Sequence, residues 1–171
     1  QTADNNCVVD KKLPVTGEDT SLYWATKIGD GYGKEATGCP IIVDGYIYTY
    51  AGSIIYKVDS VDGRIIAQGN MVAGSNFAIN PPTYAEGMIF VGLSNGRVQA
   101  FNAKTLESLW VFQDENGGQP NCSITYKDGY IYTGFWKGEN QDANYVCLSV
   151  TDEDPSKETE VKLPSWTYTG T

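Results

Sequence analysis

Ile41-Ile42-Val43-Asp44-Gly45-Tyr46-Ile47-Tyr48-Thr49 is a short apolar run, an acidic-Gly pair and a second run of β-branched and aromatic residues. The pattern returns at Thr83-Tyr84-Ala85-Glu86-Gly87-Met88-Ile89-Phe90-Val91, with its acid 42 positions further on. It returns again, after another 42, at Ile124-Thr125-Tyr126-Lys127-Asp128-Gly129-Tyr130-Ile131-Tyr132-Thr133. Two strand-forming runs joined by Asp-Gly or Glu-Gly read as a β-hairpin. A strand-only repeat near 40 residues is the signature of propeller blades, four strands to each. The expected fold is therefore all-β, a β-propeller of four-stranded antiparallel blades with almost no helix.

Working outward, residues 1–20 read as an irregular leader, and residues 21–29 alternate well enough for one N-terminal outer strand. Three full blades follow at about 39–69, 81–113 and 122–168. Their third strands are expected at Ser53–Val58, Arg97–Phe101 and Ala143–Val150, and their fourth at Arg64–Gln68, Ser108–Gln113 and Val161–Tyr168. The strand Leu22–Ile28 would then be an outermost strand without inner companions. Propellers close with about four to eight blades, so the expected partners are the remaining blades of the same propeller or a second chain. An uncovered edge and bare blade flanks would invite aggregation.

Composition narrows the function. The 171 residues carry a net charge of −9, which argues against nucleic acid and anionic membrane surfaces as partners. No apolar run approaches the roughly 20 residues of a membrane helix, so no membrane insertion is expected. Histidine is absent, which removes Ser-His-Asp and Cys-His catalysis and most catalytic zinc sites. Paired carboxylates remain available among the 21 acids. The opening Gln1-Thr2-Ala3-Asp4 shows no signal peptide and is compatible with a processed form.

Ile55-Tyr56-Lys57-Val58-Asp59-Ser60-Val61-Asp62-Gly63-Arg64-Ile65-Ile66 resembles the repeat of quinoprotein-type β-propellers, as does the stretch from Val98 to Trp110. That repeat ends its third strand on a Leu-Tyr-Ala-Leu-Asp pattern, turns at Thr-Gly, and closes its fourth strand on Trp. Trp24, Trp110 and Trp166 take the closing position, and Ala67 replaces it in the first full blade. The resemblance covers roughly residues 20–170 and implies a structural role for these indoles, each wedged between blades and burying about 150–250 Å². The same repeat occurs in pyrroloquinoline-quinone dehydrogenases, in an outer-membrane assembly lipoprotein and in noncatalytic bacterial surface proteins. The wording here is most similar to the last group, from Gram-positive bacteria. It implies an extracellular or cell-surface bacterial location and no cofactor. A quinone dehydrogenase would need calcium, a catalytic carboxylate, a tryptophan floor and often adjacent cysteines. Cys7, Cys39, Cys122 and Cys147 lie far apart in this chain, and no catalytic acid can be mapped.

The cysteines contain no C-x-x-C pair, so a zinc site is not expected. Cys122 and Cys147 fall on the first and third strands of one blade, about 9–10 Å apart, too far for a disulfide that needs Cα atoms within about 7 Å. Cys147 reads as a small core residue. Asp59 with Asp62, Asp114-Glu115, and Asp152-Glu153-Asp154 offer acidic loops, of which the last is the calcium candidate. None matches the EF-hand pattern. Asn121-Cys122-Ser123 matches a glycosylation sequon, relevant only to a secreted eukaryotic chain.

Loops between second and third strands share one propeller face with the connections between blades. The long segments Asp30–Gly38, Asn70–Asn80, Asp114–Asn121 and Phe135–Asn144 gather there. Phe135 and Trp136 beside Glu139, Asn140, Gln141 and Asn144 suit a polar ligand with an apolar face, a glycan ring or an extended peptide. Tyr32, Asn76, Phe77, Asn80 and Gln119 are further candidates on that face. For Trp136, local packing is the competing reading. The expectation is a noncatalytic binding module, with a quinone-dependent dehydrogenase segment and a purely structural scaffold as alternatives.

Overall fold

The computed structural model describes residues 21–31, 35, 37–75, 80–157 and 159–170. Among them there is no helix, and thirteen strands form three sheets. The first blade is β1 (Ile41–Val43), β2 (Tyr46–Ala51), β3 (Ile54–Asp59) and β4 (Ile65–Asn70), hydrogen-bonded in that order. The second is β5 (Thr83–Ala85), β6 (Met88–Leu93), β7 (Arg97–Asn102) and β8 (Ser108–Gln113). The third is β9 (Thr125–Lys127), β10 (Tyr130–Gly134), β11 (Ala143–Ser149) and β13 (Trp166–Gly170). All these pairings are antiparallel.

The repeated acidic-Gly pair makes each first turn. Asp44, Glu86 and Asp128 sit at φ of 48°, 50° and 49°, and the glycine after each is also left-handed. Two successive positive φ angles define the two-residue turn whose twist matches the flanking strands. Val43 therefore opposes Tyr46, Ala85 opposes Met88 and Lys127 opposes Tyr130. The register places every second side chain on one sheet face, so each blade has two apolar faces that only neighbouring blades can cover.

Two clusters fill those gaps. Tyr48, Tyr50 and Ile55 of the first blade pack with Ile89, Val91, Leu93 and Phe101 of the second. Phe90, Val98, Trp110 and Phe112 on the other side of the second blade pack with Ile131, Phe135, Val146 and Leu148 of the third. Fully burying a side chain of this size contributes roughly 1.5–3 kcal/mol, so the seams between blades carry the stability.

Two expected strands are corrected. Residues 21–30 form no strand. They lie over the first blade instead. Trp24 Nε1 donates to the Ser60 carbonyl at 3.2 Å, and the Thr26 hydroxyl donates to the Gly63 carbonyl. A cavity of about 300 Å³ remains between Trp24, Thr26 and Ile28 and the Ile47, Thr49 and Val58 side of that blade. A strand needs a ladder partner, and among the described residues none flanks this segment.

The expected fourth strand Val161–Tyr168 is divided. Its first part is β12 (Glu160–Lys162), which crosses back and pairs parallel with β8, Glu160 opposite Trp110 and Lys162 opposite Phe112. Only β13 completes the third blade, with Trp166 opposite Cys147. The second sheet is thereby five-stranded.

Candidate functional site

The seams explain the closing tryptophans. Trp110 is fully buried, its ring centroid 5.7 Å from that of Phe90, and its Nε1 donates to the Val150 carbonyl at 3.3 Å. Val150 is the first residue after β11, as Ser60 is the first after β3. Trp24 and Trp110 therefore make the same bond, from the closing position of one repeat to the carbonyl just past the third strand of the next. Trp166 holds the same register but is 45% exposed, stacked only with Tyr132 and Tyr145 of its own blade. The wedge expected of it is not made by the described residues.

Ala67 leaves the equivalent Ala103 carbonyl without an indole. The Tyr48 hydroxyl donates to it at 2.8 Å and Lys57 Nζ at 3.1 Å. That ammonium lies 4.2 Å from the Tyr46 ring centroid. Burial, and secondarily Lys104, lowers the Lys57 pKa.

On the loop face, Trp136 is 46% exposed at the start of the β10–β11 loop and makes no ring contact with another aromatic among the described residues. Its backbone is held: Trp136 N donates to Gln119 O at 2.9 Å, and Gln119 N to Trp136 O at 2.6 Å. Glu139, Asn140 and Gln141 follow it into solvent. Gln119 Oε1 is buried without a hydrogen-bond partner. Asn80 lies at the neighbouring junction, where its amide donates to the Pro120 carbonyl and its side-chain oxygen accepts from Ser123 at 3.3 Å.

Two candidates withdraw from this surface. Phe135 is 5% exposed and stacked on Phe112 with centroids 6.3 Å apart, so it belongs to the core. Asn144 is 2% exposed. Its amide donates to Asp114 at 2.9 Å and its oxygen accepts from Thr169 at 2.7 Å, tying the second blade's loop to the third blade. The alternation of β11 turns Asn144 inward, which the loop reading of 135–144 missed. Tyr32, Asn76 and Phe77 lie outside the described residues.

Two of the three calcium candidates, Glu153 and Asp154, are engaged by lysines. Glu153 accepts from Lys162 at 3.0 Å, and that bond first, then one from Glu160, holds its carboxyl below the usual range. Asp154 pairs with Lys157 at 2.7 Å. Asp152 keeps one buried oxygen without a partner. Lys162 is itself buried, donating also to the Thr151 carbonyl and lying 5.3 Å from the Trp110 ring centroid. The clue to it was spacing. Trp110 follows Asn102 by eight residues, whereas Trp166 follows Ser149 by seventeen.

No disulfide joins Cys122, just before β9, to Cys147, buried on β11. Cys7 is outside the described residues. Among the described residues no group of three histidine, cysteine or acidic side chains comes together.

A family model described as outer membrane protein assembly factor BamB matches residues 14–140. The chain belongs to this PQQ-like repeat family. Among curated proteins, this PQQ-like repeat chain is 34% identical over 113 residues to the quinohemoprotein alcohol dehydrogenase ADH-IIG of Pseudomonas putida, covering 61% of this chain and 16% of that protein. The solved structure of quinohemoprotein alcohol dehydrogenase ADHIIG from Pseudomonas putida HK5 superposes with a TM-score of 0.64 at 20% identity, over 87% of this chain and 22% of that one. BamB from Moraxella catarrhalis gives 0.56 at 19% identity, over 78% and 34%. At these identities the structural likeness is one of fold. The chain spans well under half of each relative, and these relatives do not include the Gram-positive surface repeats that the sequence resembled.

Proposed function

We propose that this PQQ-like repeat segment is a noncatalytic binding module of a bacterial protein outside the cytoplasm. Its loop face would take a polar ligand with an apolar side, a glycan or an extended peptide. The observation that carries the reading is Trp136, an exposed indole on a backbone held by a two-way bridge to Gln119 and followed by Glu139, Asn140 and Gln141. An exposed indole on a held backbone offers an apolar plane to a ring or peptide face, and neighbouring polar groups set orientation. An unmet buried acceptor costs about 1–3 kcal/mol, so a ligand donor reaching Gln119 Oε1 would gain there. The outer-membrane assembly factor named by the family supports a location beyond the cytoplasm, and an extracellular or surface position is the narrower form of this proposal. A glycan array followed by calorimetry tests it. A hit whose affinity falls with Trp136→Ala supports it, and binding indifferent to Trp136 removes this site.

The likeness to the Pseudomonas dehydrogenase favours a second reading, in which these blades form part of a quinone-dependent enzyme. Adding pyrroloquinoline quinone with calcium discriminates. Saturable binding or dye reduction by this chain would favour the enzyme.

A further inference from the structure

Each blade ends at the rim on its fourth strand. There β4 and β13 are the last strands of their sheets, whereas β8 carries β12 beyond it. A blade therefore forms without a fifth strand, and β12 is an addition drawn from the connection between β11 and β13. It meets the second blade through a ladder of three residues, through Thr159 Oγ1 donating to Ser108 Oγ at 3.1 Å, and through the Lys162 ammonium 5.3 Å from the Trp110 ring centroid. The loop that leads into it is tied to it and not to the blade: Asp154 N donates to Glu160 Oε2 at 2.6 Å, and Lys157 N to the Asp154 carbonyl at 2.9 Å. Val161 and Leu163 are 77% and 74% exposed, so they add almost no packing. A short ladder held from one side opens well below the free energy of global unfolding.

The first seam shows what chemistry this place takes. Lys57 lies opposite Ala67 on β3 and β4, and Ala100 lies opposite Trp110 on β7 and β8. Where the closing residue is small, its cross-strand neighbour is the lysine, whose ammonium reaches the Ala103 and Lys104 carbonyls at 3.1 and 3.5 Å. Where the closing residue is the indole, its neighbour is alanine, and the ammonium arrives on β12 and donates to the Thr151 carbonyl. Lys104 and Thr151 are each the second residue past a third strand. Both seams thus put a lysine on the same carbonyl position, one from inside the blade and one from the added strand. An indole face and a backbone carbonyl each attract a cation, and Glu153 adds a carboxylate at 3.0 Å. In the second seam that cation is carried by an element the blade does not need in order to form.

We propose that β12 is an autoinhibitory strap on a strand-binding edge: it opens separately from the blades, and the edge of β8 beside Trp110 then takes an extended peptide, in parallel, that carries a lysine or arginine in the place of Lys162. The strap and the partner compete for one ladder and one cation position. The backbone groups of β8 supply affinity, as in other strand additions to a sheet edge, and the pocket between the indole and the Thr151 carbonyl supplies selection. This rim site shares no residue with the loop-face surface around Trp136 and stands or falls apart from it.

Amide exchange followed by NMR tests the strap in the unchanged chain. The β12 amides and the β8 amides that face them should exchange together, roughly tenfold or more faster than those of β6 and β7. Lys162→Ala should speed that pair of strands by a further factor of about ten and leave β6 and β7 unmoved, and Lys162→Arg should restore the parent rates. The probe for the acceptor edge is a fluorescent peptide copying residues 157–165, read by anisotropy. It should bind the Lys162→Ala chain roughly tenfold or more tighter than the unchanged chain, because the competing strap is more often open. The same peptide with Lys162→Glu should bind at least about tenfold more weakly. Exchange of β12 no faster than that of β6 and β7 would overturn the strap, and this is read without any variant. A peptide that ignores the opened β8 edge would overturn the acceptor, and equal binding of the glutamate peptide would overturn the selection for a cation. A dimer in sedimentation that swaps β12 between copies would make a second copy the occupant in place of a peptide and overturn that assignment.

Discussion

Between the first and second blades the closing position holds Ala67, and a tyrosine hydroxyl and a lysine ammonium reach the Ala103 carbonyl in place of an indole. Between the second and third it holds Trp110, fully buried, with Lys162 above its ring. Both seams satisfy the same backbone acceptor and fill the same gap. They differ in what is buried there: Leu106 of the second blade lies in the cluster against which Ala67 packs, and Trp110 is itself a member of the other cluster. A repeat architecture constrains the seam volume and the acceptor, and leaves the residues that serve them free to trade.

Trp110→Ala should break the comparison most severely, removing about 3–5 kcal/mol. The readout is the urea midpoint at unchanged slope, and a loss under about 1 kcal/mol would deny the wedge. The converse change, Ala67→Trp, should overpack the first seam by about 1–3 kcal/mol. Adding Leu106→Gly should recover part of that loss, since the new indole would then meet a left-handed glycine, as Trp24 lies against Gly63 at φ 73°. Two independent losses that merely add would mean the positions do not trade volume.

The seams should also separate by pH. Burial first, then Tyr84, pushes the Tyr48 phenol up to about 12. Unfolded tyrosine ionises near 10. The folded chain therefore holds the proton longer, and stability falls as pH rises from about 10 to about 12. Tyr48→Phe should flatten that decline and cost about 1 kcal/mol at neutral pH. Glu153, on the other seam, is held below the ordinary carboxylate range by Lys162. Its contribution is present above about pH 4.3 and is lost as pH falls through the lower folded value. Glu153→Gln should shallow the acid limb of a melting-temperature profile and leave the alkaline limb unchanged. The smallest effect belongs to Trp136→Ala, within about 0.5 kcal/mol of the parent, because the indole is not packed into either seam. A larger drop in melting temperature would return Trp136 to a packing role.

The three hairpins were legible because their turns are local. Asp44-Gly45 needs no distant residue to choose a left-handed pair of φ angles. The closing position of Trp110 was legible from the resemblance of its stretch to the quinoprotein-type repeat, and β8 carries it there. Phe135 and Asn144 were misread because loop composition does not reveal which way the first residue after β10, or the second residue of β11, points. Only the pleat of a formed strand decides that. Glu153 read as a cation ligand because its partner Lys162 lies on β12, whose return to β8 the sequence did not trace.

The sequence by itself determined an all-β chain, the three repeats and their hairpin register. Local backbone preference and a period of two suffice for each. Tertiary structure alone decided that β12 returns to pair parallel with β8, that Lys162 is buried over Trp110, and that Tyr48 and Lys57 stand in for a missing indole. A parallel pairing across a long connection gains nothing locally. It forms because the outer edge of β8 and the face of Trp110 are already assembled for it to cover.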